Sequence, residues 1–195
     1  MRKLNCRLTV LRRANDSGAE DGGGMIRHGP IIIIALAAAL LLPAGRVQAE
    51  EKEPSAILEL GGAGEWSLRD GSSSYGGTVA IEVEPIRNWL ELEAGVTPRF
   101  GSGHTEWSTD LLFKRPYTLS DTVEFMIGVG PEWVHATGGG KTTDTINGEA
   151  VLDFMFWSSS ERRVGWYVEP SYDYSFNKGR EQSLGVTGGL LIGIP

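Results

Sequence analysis

After Ala49 no stretch of this chain keeps a helical period; apolar and polar side chains instead alternate one by one, segment after segment, to the C-terminus. Successive side chains of an extended backbone point to opposite faces, so a chain written this way makes strands with one greasy and one polar face. Gly-, Ser- and Asn-rich stretches break the alternation into eight segments. The expected fold class is all-β, an eight-stranded antiparallel up-and-down transmembrane β-barrel after an N-terminal signal peptide.

The first segment sets Leu58, Leu60, Trp66 and Leu68 against Glu59, Gly61, Ala63 and Glu65, and the second sets Val79, Ile81 and Val83 against Ala80, Glu82 and Glu84. Leu90, Leu92, Ala94 and Val96 oppose Glu91, Glu93 and Gly95 in the third; Trp107, Thr109, Leu111 and Phe113 oppose Glu106, Ser108, Asp110 and Lys114 in the fourth. The fifth alternates Val123 to Trp133 with Glu124, Met126, Gly128, Gly130 and Glu132, and the sixth Ala150, Leu152, Phe154 and Phe156 with Glu149, Val151, Asp153 and Met155. Trp166, Val168, Tyr172 and Tyr174 oppose Tyr167, Glu169, Ser171 and Asp173 in the seventh, and the eighth carries Leu184, Val186, Leu190, Ile192 and Ile194 opposite Gly185, Thr187, Gly189 and Gly193. Such segments of about 9–11 residues match a tilted strand crossing a bilayer. Short turns are expected at 85–88, 118–121 and 158–161, and longer Gly-rich loops at 70–76, 100–104, 138–147 and 176–182, which leaves both termini at one end.

The barrel region is preceded by an export signal. Met25, Arg27 and His28 lead into the twelve-residue apolar run Ile31 to Leu42, and Val47-Gln48-Ala49 supplies small residues for cleavage. Twelve is well short of the roughly 20 apolar residues a spanning helix needs. Residues 25–49 are thus read as a signal peptide, 50–54 as a short periplasmic N-terminus and 55–195 as the barrel. Residues 1–24 show no apolar period, and Met25 is read as the start, with a disordered extension as the other reading. The single cysteine, Cys6, lies before the cleavage site, so the mature part has no disulfide and no thiolate ligand.

Of the 25 acidic and 18 basic side chains, 3 and 7 precede Glu50, leaving 22 against 11 in the exported part. That balance excludes a nucleic-acid partner and a basic surface helix.

Alternation alone does not say which face is inside. Placed in an up-and-down barrel, Trp66, Tyr75, Trp107, Trp133, Tyr172 and Tyr174 gather at the outer end. Trp89, Phe113, Tyr117, Phe156, Trp157 and Trp166 gather at the inner end, as two aromatic girdles do in a membrane barrel. The polar phase is rich in glycine, which suits a crowded lumen, and the apolar phase has more volume than an eight-stranded lumen holds. Outer-membrane lipid is therefore the expected surroundings. The inverse, a soluble periplasmic lipocalin-like barrel binding an apolar ligand, is the alternative.

The apolar-out arrangement leaves an acidic lumen, with Glu82, Glu84, Glu91, Glu93, Asp110, Glu124, Asp153, Glu169 and Asp173 among its carboxylates. Lys114, Arg69, Arg99 and Arg163 are the bases expected to face them. Since an isolated buried charge costs many kcal/mol, such a lumen is wet, or takes up protons or cations, or else inside and outside are reversed. Pro131 and Pro170 within strands predict a bulge or strand end near each.

Eight alternating strands, short inner turns, two aromatic belts and the amphipathic last strand Ser183 to Pro195 resemble the small outer-membrane barrels of the OmpA and OmpX type. The resemblance is one of pattern over residues 55–195. That family's last strand usually ends in an aromatic residue, whereas this chain ends Leu191-Ile192-Gly193-Ile194-Pro195. What the resemblance implies is a structural or surface-interaction role, with the lumen blocked by side chains, and a surface partner reached through the four outer loops.

Other chemistry is thinly signalled, and no catalytic residue, cofactor or metal is expected. His104 and His135, with Ser102, Glu106 and Glu132, read as solvated polar residues before they read as a hydrolase or metal cluster. Gly138-Gly139-Gly140-Lys141-Thr142-Thr143 lacks the spacing and the following helix of a phosphate loop.

Overall fold

A computed structural model describes residues 54–195. The signal peptide, the cleavage site and the assignment of Met25 lie outside the described residues. Eight strands follow in order: β1 (Ala56–Ser67), β2 (Ser73–Ile86), β3 (Leu90–Gly101), β4 (His104–Ser120), β5 (Val123–Gly138), β6 (Lys141–Trp157), β7 (Val164–Ser175) and β8 (Gln182–Ile194). Each pairs antiparallel with its neighbours in sequence, and β1 pairs with β8 from Ala56↔Ile194 to Ser67↔Ser183, closing the barrel. Closure gives every interior N–H and C=O a partner strand and leaves no edge.

The faces fall as the alternation dictates. Leu60, Val79, Ile81, Val96, Leu111 and Leu190 are exposed on the outside, while Glu59, Glu82, Glu93, Lys114, Asp153 and Glu169 are buried within. An apolar cavity for a greasy ligand is what the lipocalin-like alternative required, and this interior is lined by carboxylates instead.

The inner half of the barrel also contains an apolar plug. Ile57, Met126, Met155, Trp157, Tyr167 and Leu191 pack together there, all buried. Trp157 is thus inside the barrel and not in the inner girdle, because it follows the outward Phe156 by one residue.

The outer connections differ from the expected loops. The 100–104 and 138–147 segments are mostly strand: β3 turns into β4 through Ser102 and Gly103, and β5 turns into β6 through Gly139 and Gly140. Gly139 and Gly140 have φ of 56° and 74°, the left-handed pair that closes a two-residue hairpin matching strand twist, so the strands run on to the turn. Only the β1–β2 and β7–β8 connections, 68–72 and 176–181, are longer.

The prolines behave in a third way. Pro98, Pro131 and Pro170 each face a two-residue gap in one ladder, with the register unchanged on either side; at Pro131, for instance, Asp110↔Glu132 and Phe113↔Val129 flank it. A missing N–H therefore costs a local rung and neither a bulge nor a strand end. The register shifts that do occur lie by the inner turns, at Val83/Ile86 and Thr118/Ser120.

The lumen glycines answer to backbone as much as to side chains. A Cβ on Gly130 would lie 1.9 Å from the Leu111 carbonyl oxygen and one on Gly189 2.1 Å from that of Leu60, so adjacent strands approach too closely there for any side chain. The outward Gly62 and Gly77 meet nothing nearer than 3.7 and 3.6 Å, and crowding does not explain them.

Candidate functional site

The lumen is organised in tiers along the barrel axis. At its outer end a vestibule of about 500 Å³ is lined by polar residues including Arg69, Asp70, His104, Glu106 and Glu181. On its rim Asp70 accepts hydrogen bonds from the backbone N–H (3.0 Å) and hydroxyl (2.8 Å) of Ser72. These bonds, the backbone one first, hold the Asp70 carboxyl down to about 2.

Below the vestibule Arg99 is ringed by Glu65 at 2.6 Å, Glu132 at 3.2 Å and Glu106 at 3.8 Å. The Asn147 side-chain amide donates to the second oxygen of Glu132 at 2.8 Å. Asp173 on β7, buried, and Asp110 on β4, half-buried, also face the lumen.

Deeper still lies Lys114, fully buried. Its ammonium meets Asp153 and Glu169 at 2.8 Å each and Glu93 in a short contact, with Glu82 at 3.9 Å. Antiparallel register sets this up: Glu91↔Lys114 and Glu93↔Leu112 put Lys114 beside the β3 acids, and Lys114↔Gly128 leaves its stem room where any Cβ would collide with it. Between the two clusters is a cavity of only about 30 Å³, with Glu59, Glu93, Asp110, Glu132 and Glu169 in its lining. That is room for a water or two.

At the inner mouth Glu82, Glu84, Glu91, Glu124 and Arg162 line a recess of about 20 Å³, and Arg162 pairs with Glu124 at 2.7 Å. Glu84 turns toward the β2–β3 hairpin and accepts the Asn88 backbone N–H.

Two of the expected lumen bases are elsewhere. Arg69 is paired with Glu181 at 2.8 Å on the exposed rim, and Arg163 with Glu161 at 2.9 Å outside. Arg162 enters the barrel in place of Arg163. It sits at φ 49°, and a left-handed residue in the turn shifts the in-out phase that simple alternation assumes. Arg115, also buried, lies against Trp89, its guanidinium 5.4 Å from the ring.

The aromatic residues take the outer surface in two bands. Trp66, Trp107 and Trp133 are exposed at the outer end, with Tyr172 and Tyr174 half-buried; Trp89, Phe113 and Trp166 are exposed at the inner end, where Phe156 stacks on Trp166 at 4.0 Å. His104 and His135 do not come together. His104 faces the vestibule, 3.6 Å from Glu106, and His135 is on the opposite phase of its strand, beside Trp133 and 2.8 Å from Asp144.

This is the fold of the small eight-stranded outer-membrane β-barrels: closed, antiparallel, up-and-down, apolar outside and charged within. The structure of Neisserial surface protein A is similar, with 11% sequence identity, a TM-score of 0.57 and 71% of this chain and 96% of that one covered. The N-terminal β-barrel domain of Pseudomonas aeruginosa OprF is also similar, at 12% identity and a TM-score of 0.53, with 72% and 100% covered. No protein-family model matches the chain, and no curated protein matches it in sequence.

Proposed function

We propose that this protein is an outer-membrane barrel with a structural or surface-interaction role, not an enzyme, whose acidic lumen is not an open pore. The observation that carries the reading is the outer wall: Val79, Trp107, Trp166 and Leu190 are each more than half exposed, within a continuous apolar belt. A belt of this extent on a protein in water would drive aggregation, whereas lipid accommodates it.

Two further features support the finer parts. The plug and the Lys114 cluster leave cavities of about 20 and 30 Å³ below the vestibule, too small for a hydrated ion path. Strands β4, β5 and β6 have 17, 16 and 17 residues, more than the roughly 9–11 a bilayer crossing uses, so their hairpin ends project beyond the membrane as a stiff ribbon. That ribbon, with the 68–72 and 176–181 loops, is the surface through which a partner is met. Opposite orientation of His104 and His135 argues against hydrolytic chemistry.

Membrane fractionation with heat-modifiable gel migration, followed by planar-bilayer recording, tests the proposal. It expects a detergent-requiring species in the outer-membrane fraction and no unitary conductance. A species soluble without detergent overturns the location, and steady ion-selective steps overturn the closed lumen.

A further inference from the structure

Lys114 donates a hydrogen bond to Asp153 and lies within ion-pair distance of Glu169 and Glu93. Two more acids face the same point. Glu82 is 3.9 Å from the ammonium, beyond hydrogen-bonding distance, and neither of its oxygens has a hydrogen-bond partner. Glu59, 1% exposed, points a partnerless Oε1 into the cluster, and Asp153 Oδ1 is likewise without a partner. One ammonium thus stands against five buried carboxylates.

Four of these acids are close enough together to share one ion. One oxygen from each of Glu59, Glu82, Glu93 and Asp153 lies within 4.8 Å of the others. Several protein carboxylates around one point suit calcium, whereas magnesium dehydrates reluctantly and usually keeps several waters with only one or two carboxylates. An all-oxygen set without nitrogen or sulfur selects hard cations over zinc or copper. The neighbouring 30 Å³ cavity is lined by both Glu59 and Glu93 and also by Glu132.

We propose that Glu59, Glu82, Glu93 and Asp153 form a luminal site for one calcium-sized hard cation, bound beside Lys114. The cation supplies the charge that the lysine cannot. This site belongs to the barrel interior and does not depend on where the protein resides.

The test uses the full barrel refolded in detergent and stripped with a chelator, then titrated with calcium or magnesium while thermal unfolding and bound metal are measured. The expected result is about one calcium per chain and a midpoint that climbs with the logarithm of calcium above saturation, with magnesium much weaker. Glu59→Gln combined with Glu82→Gln abolishes both effects, while Asp70→Asn on the vestibule rim leaves them intact. Should the double variant fail to fold, terbium on the unaltered barrel decides: emission sensitised by Tyr167, which lines the same cavity as Glu59, and displaced by calcium supports the site. No calcium effect, an unchanged effect in the double variant, or no sensitised terbium emission overturns it.

Discussion

Arg99 and Lys114 do the same job at two depths, and the surroundings make it a different problem at each. Arg99 lies just below a 500 Å³ vestibule that its partners Glu65 and Glu106 line, its side chain is 10% exposed, and those two acids can share solvent. Lys114 has no exposed side-chain area and more carboxylates than donors. A surplus of negative charge is inexpensive where water reaches it and severe where it does not, since desolvation is recovered only through close partners. The difference teaches that composition of a lumen says less about its chemistry than depth does.

The largest effect should come from Lys114→Met, which leaves buried carboxylates without a base and costs about 3–5 kcal/mol. Urea unfolding of the barrel in lipid vesicles measures it. Gly130→Ala, midway between the clusters, forces apart strands whose Cβ clearance is 1.9 Å and should cost about 2 kcal/mol by the same assay, whereas Gly62→Ala on the outside changes stability by less than about 0.5 kcal/mol. Arg99→Met should cost only about 1–2 kcal/mol, because vestibule water replaces part of what the guanidinium gave. Equal losses at Arg99 and Lys114 would break the contrast.

The smallest effect concerns the rim. The Asp70 carboxyl, held down to about 2, contributes stability above the ordinary carboxylate value of about 3.9 and loses it as pH falls through its own. The stability difference between the native chain and Asp70→Ala should therefore shrink between about pH 4 and 2, in acid titration of the folded barrel.

The fold was legible because alternation is a local signal repeated eight times, and each repeat places its own residues: Glu59, Glu82, Glu93, Asp153 and Glu169 could be put in the lumen from phase alone. What alternation does not carry is height and partner. The Lys114 cluster depends on register between β3, β4 and β6, which no single segment specifies. The plug was hidden for a related reason, since Met126, Met155 and Tyr167 share the polar phase and acquire meaning only when the strands stack them at one level. Arg162 was missed because its left-handed turn geometry breaks the phase, and the long β4–β6 ribbon because glycine pairs read as loop when they can equally close a tight hairpin.

The central claim is that the apolar face meets lipid while the charged face and the plug are inside, and the tryptophans report on it directly. Five of the six, Trp66, Trp89, Trp107, Trp133 and Trp166, are 40–53% exposed on the outer wall, and Trp157 is 5% exposed within. Fluorescence quenching by brominated lipids, on variants retaining only Trp107 or only Trp157, compares the two faces in one experiment. The account predicts strong quenching of Trp107 and little of Trp157; equal quenching, or quenching of Trp157 alone, contradicts it.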